Sequence, residues 1–270
     1  MRQTYERDGA CAFLISRSLA LLALILLVSF CCACSEDDVW IPPRDVPAPY
    51  YDTRFFSWND GRCSYESGNR SSAKTGVDVS EYQGAIDWDA VAADGIDFAI
   101  VRIGYRGTTE GGLFTDPLFT QNVSKAQAAG IECGAYFFSQ ATTVEEALEE
   151  AAYVLDLLGG IGLEYPVVFD YEVGGSSRAA NLSQQDATEI ARAFCDAIRT
   201  GGYEAMLYGN RYDLQRFDLD SLSDLELWFA EYGSYPTYES KFVIWQYDNE
   251  GVVEGISSGV DLNLDLTSAL

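Results

Sequence analysis

The sequence predicts a single α/β barrel of the TIM-like kind, five β/α units followed by three strands with little helix between them. Apolar, β-branched or aromatic runs recur at residues 76–82, 98–105, 131–139, 166–172 and 203–210. Helical stretches at 87–94, 117–130, 144–158 and 183–200 separate them, and strands alternating with helices at this spacing make βαβ units and a parallel sheet. The last third breaks the rhythm, with strand-like runs at 225–232, 242–247 and 259–266 and almost no helix between them. Five strands and three more close an eight-stranded barrel, for which ~200–250 residues suffice.

The helical period is plainest at 144–158. Val144, Ala147, Leu148, Ala151, Val154, Leu155 and Leu158 share one face, and Glu145, Glu146, Glu149 and Glu150 the other. Ser183, with Asp186 three residues later, comes close to a capping box at the start of the next helix.

Ahead of the barrel, Arg2, Arg7 and Arg17 precede a nearly unbroken apolar run from Leu19 to Ala33. A basic flank, a short apolar core and small residues near its end are the pattern of a secretory signal or a signal anchor. Cys34 after Ala33 resembles the end of a bacterial lipoprotein signal, although Cys31 stands where such signals usually carry Leu. Residues 1–34 are therefore expected to be a signal peptide, a lipoprotein signal or a membrane anchor. The chain is expected to be exported, either secreted or held at the outer face of the cytoplasmic membrane through that segment if it is retained or lipidated. Residues 35–74 carry Pro42, Pro43, Pro47 and Pro49 and read as a linker or N-terminal extension. Tyr50, Tyr51, Phe55, Phe56 and Trp58 are more aromatic than a free linker needs, so part of this stretch is expected to pack on the 75–270 domain.

Composition then narrows the chemistry. With 42 acidic against 17 basic residues the net charge is −25, which leaves no basic stripe for nucleic acid. There is no histidine, so Ser-His-Asp and Cys-His machinery and His-ligated zinc are excluded. Neither a GxxxxGK[ST] phosphate loop nor a GxGxxG turn between strand and helix occurs, and no cofactor is indicated. Acid–base work falls to carboxylates, Tyr, Lys or Cys.

Function in such a barrel gathers at the C-terminal ends of the strands, and acids are found there. The first strand supplies Asp78, the fourth Asp170 and Glu172, and the last Asp261. Residues two apart on a strand share a face, so Asp170 and Glu172 point into one space, ~7 Å apart at the backbone. Two such groups do not both ionise freely, and one keeps a proton near neutral pH. A protonated acid beside an ionised one is what glycosidic cleavage needs. Closure of the barrel is expected to make Asp78 and Asp261 neighbours. Tyr136, Phe138, Trp228, Tyr232 and Trp245 offer rings for sugar stacking, and Gln246 offers hydrogen bonds. Other uses of the same residues stay open: acids that cap strand ends or pair with Arg102, a divalent-metal site, and aromatic rings that simply fill the core.

Several segments resemble glycoside hydrolase family 25, lysozymes of the N,O-diacetylmuramidase type. They are Gly76-Val77-Asp78-Val79-Ser80-Glu81-Tyr82-Gln83-Gly84 with Ile86-Asp87-Trp88, Phe98 to Tyr105, Gly134 to Ser139, Asp170-Tyr171-Glu172, Trp245-Gln246-Tyr247 and Gly259-Val260-Asp261. The likeness covers about residues 75 to 266. It implies a flattened β/α barrel, hydrolysis of the β-1,4 bond from N-acetylmuramic acid to N-acetylglucosamine, and peptidoglycan strands as the partner of a monomer. It also implies roles: Glu172 as proton donor, Asp170 as the group that orients the 2-acetamido group or steadies the oxocarbenium charge, and Asp78 and Asp261 as the residues that tune both. A barrel that binds glycan without cutting it, and a metal-dependent hydrolase, are the competing readings.

Overall fold

The computed structural model describes residues 49–67 and 73–269; the expected export segment lies outside them. The described chain opens with an antiparallel hairpin, β1 (Phe56–Asn59) and β2 (Arg62–Tyr65), turning at Asp60-Gly61. Next come β3 (Lys74–Val79), α1 (Trp88–Ala93), β4 (Phe98–Arg106) and a short β5 (Leu113–Thr115). α2 (Phe119–Ala128), β6 (Glu132–Phe138), α3 (Val144–Leu158), β7 (Val167–Asp170) and α4 (Gln184–Thr200) continue the alternation. The remainder is β8 (Ala205–Asn210), the single-turn α5 (Arg211–Leu214), β9 (Glu226–Ala230), β10 (Ile244–Gly251) and β11 (Val260–Asp265).

Among the described residues, eight strands close a barrel in the order β3, β4, β6, β7, β8, β9, β10, β11 and back to β3, with β5 appended to β4. The pairings from β3 round to β10 are parallel. β11 is antiparallel to both of its neighbours, where a uniformly parallel sheet was expected. The cause is local: eight residues join β10 to β11, too few for the crossover that a parallel return requires. The expected strand at 166–172 is also shorter, since the last backbone bond between β6 and β7 joins the Ser139 N–H to the Asp170 carbonyl.

Capping residues delimit the helices. Thr143 accepts the Glu146 N–H at the start of α3, which ends at Gly159 in the left-handed region (φ 53°). Ser183 accepts the Asp186 N–H ahead of α4.

Alternation along the strands sorts the side chains. Phe98, Ile100, Val168, Met206, Tyr208, Trp228 and Ile244 fill the barrel interior, while Val77, Val101, Phe137, Phe169, Phe229 and Trp245 face outward. At the closed end of the barrel Phe98 stacks on Tyr165 at 4.5 Å and fills the space beside Gly76, where a Cβ would come within 2.3 Å of its ring.

No long helix covers the outer face of β10, and the N-terminal hairpin lies there instead. Phe56 meets Trp245 edge-on at 5.2 Å and Trp58 meets Tyr247 at 5.4 Å. The Tyr51 hydroxyl donates to the Phe242 carbonyl, and the Trp58 indole N–H to the Ser234 carbonyl at 2.8 Å. Hairpin and barrel form one compact unit. Each large apolar side chain buried is worth ~1.5–3 kcal/mol, and Tyr51, Cys63 and Tyr65 are all buried here. A chain that starts at Thr75 is therefore expected to melt several degrees below one that keeps residues 49–74, as read by circular dichroism. Equal melting temperatures would show the hairpin to be dispensable.

Beside β4 lies a buried ion-pair cluster. The guanidinium of Arg106, at the end of β4, donates to Glu150 at 2.6 Å, to Glu149 at 2.7 Å and to the carbonyls of Gly111 and Glu146. Ser139 donates to the other oxygen of Glu150 at 2.6 Å. These bonds tie α3 to the loops on the rim where the strands' C-terminal ends emerge.

Candidate active site

Asp78, Asp170, Glu172 and Asp261 gather at that rim. Asp78 and Asp170 lie on the inward-facing alternation of β3 and β7 and are buried. Asp261 arrives from the opposite direction. Because β11 is reversed, its beginning, not its end, reaches this rim, and Asp261 is the direct cross-strand partner of Asp78. The expectation that they adjoin is met, by a strand running the other way. Glu172 stands two residues past the end of β7, exposed on the rim yet crowded by the other acids. The Gln140 side-chain amide donates to its backbone carbonyl at 2.8 Å.

Asp78 is held by a network whose polarity can be worked out. The Trp228 indole is only a donor, so the atom of Asn263 that faces it at 2.8 Å is the amide oxygen, and the Asn263 NH₂ turns to Asp78 Oδ2 at 2.8 Å. The Tyr208 and Tyr232 hydroxyls both donate to Gln246 Oε1, at 2.9 and 3.1 Å, which leaves the Gln246 NH₂ to reach the same Asp78 oxygen at 2.9 Å. Two N–H donors on one oxygen favour the carboxylate. Burial works against them and pushes the Asp78 pKa up to about 6.

The other three acids are raised as well. Burial pushes Asp170 well above the usual carboxylate range, reinforced by the negative charges of Glu172, Asp78 and Asp213. Its Oδ1 is buried with no hydrogen-bond partner. Glu172, open to solvent on one side, is shielded from water on the side it shares with the other acids; that partial withdrawal, then the charges of Asp213 and Asp78, push it up to about 7. Withdrawal from water, followed by Asp78, raises Asp261 to about 8. Burial also lifts the phenols of Tyr136 and Tyr208, so they stay protonated and able to donate.

None of the four acids forms an ion pair among the described residues. Arg102, a possible partner from the sequence, pairs instead with Asp116 at 2.9 Å and Glu81 at 3.0 Å and lies against the rings of Tyr82 and Tyr105. The described residues hold no group of three or more acids or cysteines arranged to bind a metal ion. The arrangement can therefore hold protons at closely spaced carboxylates and present an unpartnered acceptor to a ligand.

The expected sugar-stacking residues separate. Tyr136 and Phe138, on β6, are partly exposed, and Tyr232 is 53% exposed beside the network. Gln246 is buried and serves Asp78 rather than presenting itself to solvent. Two expectations fail. Trp228 is 2% exposed, inside the barrel, and Trp245 is fully buried on the outer face against the hairpin, so neither has a free ring face. Trp245 precedes Gln246, and strand alternation sends neighbours to opposite faces.

Asn263, Tyr208, Gln140 and Asp213 were not singled out from the sequence. Asn263 was within reach of the same reasoning, being two residues past Asp261 and hence on its face. The others carry no motif.

Comparison with known proteins identifies the family. The family model for glycosyl hydrolases family 25 matches residues 77–256. The chain belongs to this family. Over 190 residues it is 28% identical to "Autolytic lysozyme" of Clostridium acetobutylicum, the match covering 70% of this chain and 54% of that protein. Over 210 residues it is 29% identical to "Lysozyme M1" of Streptomyces globisporus, covering 72% and 68%. The crystal structure of the bacterial lysozyme from Streptomyces coelicolor superposes with a TM-score of 0.61 at 26% identity, over 74% of this chain and 94% of that one. The matched part of this family 25 chain thus spans about half the length of the clostridial relative, and all four acids fall within or a few residues beyond the matched segment.

Proposed function

We propose that this family 25 chain is a muramidase that hydrolyses the β-1,4 bond between N-acetylmuramic acid and N-acetylglucosamine in peptidoglycan. The observation that carries this is Asp170, 4% exposed, with an oxygen that has no partner, beside a rim carboxyl whose proton is lost only near neutral pH. A buried, unpaired acceptor is costly; a ligand N–H, such as that of a 2-acetamido group, would repay it. The relatives' names, "Autolytic lysozyme" and "Lysozyme M1", support the same substrate class.

In this mechanism Glu172 gives its proton to the glycosidic oxygen as the C–O bond breaks, so the leaving sugar departs as an alcohol. Asp170 accepts from the acetamido N–H and faces the positive charge that grows at the anomeric carbon. Water then bonds through its oxygen to the anomeric carbon while Glu172, now a carboxylate, takes the proton it loses and returns to its starting state. Asp78, fixed by Asn263 and Gln246, supplies negative charge that helps keep Glu172 protonated, while Asp261, raised to about 8, holds a proton beside it. Tyr136, Phe138 and Tyr232 line the glycan's path. This reading makes it an exported protein that works as a monomer; the signal-like pattern at residues 1–34 supports the export.

Digestion of purified peptidoglycan followed by mass spectrometry tests this: every new reducing end should be N-acetylmuramic acid. Reducing ends on N-acetylglucosamine, or none from active, folded protein, would overturn it. The pH profile is a second check. Glu172 must be protonated, so kcat/KM should fall as pH rises through about 7. Asp78 must be ionised, so it should also fall below about 6. The optimum is expected between these limits, with apparent pKa values that belong to the cluster as a whole. A rate still rising above pH 8 would contradict the assignment of the acid.

A further inference from the structure

Trp228 has no ring face free for a sugar, yet its polar edge reaches the acid cluster. The indole N–H donates to Asn263 Oδ1 at 2.8 Å, and the Asn263 NH₂ donates to Asp78 Oδ2 at 2.8 Å. Trp228 of β9, Asn263 of β11 and Asp78 of β3 are all buried, so a polar atom that loses its partner there pays the full cost of desolvation. Gln246 of β10 forms a second chain, reaching the same Asp78 oxygen at 2.9 Å, and its Oε1 accepts from the Tyr208 and Tyr232 hydroxyls at 2.9 and 3.1 Å.

The two chains differ at their far ends. An indole nitrogen only donates, whereas a phenol can donate or accept. If the Gln246 amide turned over, its NH₂ would meet two hydroxyl oxygens able to accept, and its Oε1 would face Asp78. If the Asn263 amide turned over, its NH₂ would meet another N–H, and neither group could accept. The indole therefore leaves Asn263 one orientation, with a donor towards Asp78 whatever the charge on that carboxyl. An amide free to turn would offer its oxygen to a protonated Asp78 and stabilise the neutral acid.

We propose that Trp228 is a positioning residue for Asp78: its donor-only indole locks the Asn263 amide in the orientation that selects the carboxylate. This rests on the reading of Asp78 as a group that works ionised. Facing Asp78 are its cross-strand partner Asp261 of β11, Asp170 of β7 with Glu172 just beyond it, and the phenols of Tyr136 on β6, Tyr208 on β8 and Tyr232 beyond β9. Asp248 of β10 faces Asp261 and Tyr232. Arg102 of β4, two residues past Ile100, the register partner of Asp78, is engaged by Asp116 and Glu81. Burial drives Asp78 towards its neutral form and the amide donors oppose it, so the lock acts where the balance is close.

The test is Trp228→Phe, which keeps a buried ring and removes the N–H. The acidic limb of kcat/KM on peptidoglycan should move to higher pH by roughly half a unit or more, because Asn263 can then turn and accept from a protonated Asp78. The basic limb, assigned to Glu172, should move less. A second readout is the NMR titration of the Asp78 carboxyl in ¹³C-aspartate-labelled protein, its resonance assigned by its loss in Asp78→Asn; it should shift upward without reference to turnover. Tyr208→Phe also removes a buried donor, from a ring 4.6 Å from that of Trp228, but from the chain whose amide is already free to turn, so its shift should be the smaller. If Trp228→Phe does not fold, replacing Trp228 with the benzothiophene analogue of tryptophan, which keeps the two-ring shape without the N–H, should give the same shift. An acidic limb and an Asp78 titration both unmoved in a folded variant, or an equal or larger shift from Tyr208→Phe, overturns the proposal. Failure of the muramidase reading would look different: wild-type protein without activity, alongside an Asp78 titration that still rises when the indole N–H is lost.

Discussion

Glu172→Gln is expected to lower kcat on peptidoglycan by ~10³-fold while leaving the fold intact. The amide matches the carboxyl in size and still forms hydrogen bonds, but it cannot hand over a proton, and general acid catalysis is typically worth ~10²–10⁴-fold. KM should change little, since the substrate contacts proposed for Tyr136, Phe138, Tyr232 and Asp170 are untouched. The basic limb of the pH profile should vanish with the group that causes it. The melting temperature should hold near pH 6, where Glu172 already carries a proton, and rise slightly above pH 7, where it would otherwise ionise among the other acids. Kinetics on purified peptidoglycan with a thermal melt on the same samples would decide the matter. Activity within tenfold of wild type would remove Glu172 from the chemistry.

The largest stability effect is expected away from the reacting atoms, at Arg106→Met. Arg106 and Glu150 are both buried, 2.6 Å apart, and the Ser139 hydroxyl completes the Glu150 contacts. Such a pair repays its desolvation only while both members are present. Removing the guanidinium leaves Glu150 as a lone buried carboxyl and frees the carbonyls of Gly111 and Glu146, at a cost of ~3–5 kcal/mol. Glu150 would then take up a proton, so the loss should be smaller in acid. In the variant a Glu150 raised above its unfolded value binds more protons folded than unfolded, so stability declines as pH rises through that window. Denaturant melts at pH 5 and pH 8 provide the check. A difference under 1 kcal/mol between variant and wild type at pH 8 would mean the cluster contributes little. Because Ser139 adjoins Gln140, which holds Glu172, the variant should also lose activity before it unfolds globally.

Much of this molecule was legible along the chain. The expected ranges of α1 to α4 lie within two residues of those observed, and at α3 and α4 the apolar period and the Ser183 cap are the reason, because a helix is stabilised by contacts three and four residues apart. The presence of Asp78 and Asp170 at one rim followed from their place at the C-terminal ends of strand-like runs, which is equally local. What adjoined the acids did not follow. Gln246 and Asn263 converge on one oxygen of Asp78 from positions 168 and 185 residues away, and only closure of the barrel brings β3 against β11.

The same division separates correct from incorrect expectations. That acids cluster at one rim was determined by strand-end chemistry alone. That Asp261 reaches the rim from the start of a reversed strand depended on the length of the connection from β10. Trp228 and Trp245 were read as ligand rings because aromatic chemistry is indifferent to side; their burial was decided by the barrel interior and by the hairpin of residues 56–65, which covers the face left bare by the missing helices. Asp213 had no signal in the sequence, since an aspartate near the start of a helical turn ordinarily caps it. Sequence determined which groups could carry protons, because pattern and residue type are local properties. Tertiary structure decided which of them share a space, because closing a barrel pairs residues that the chain itself keeps far apart.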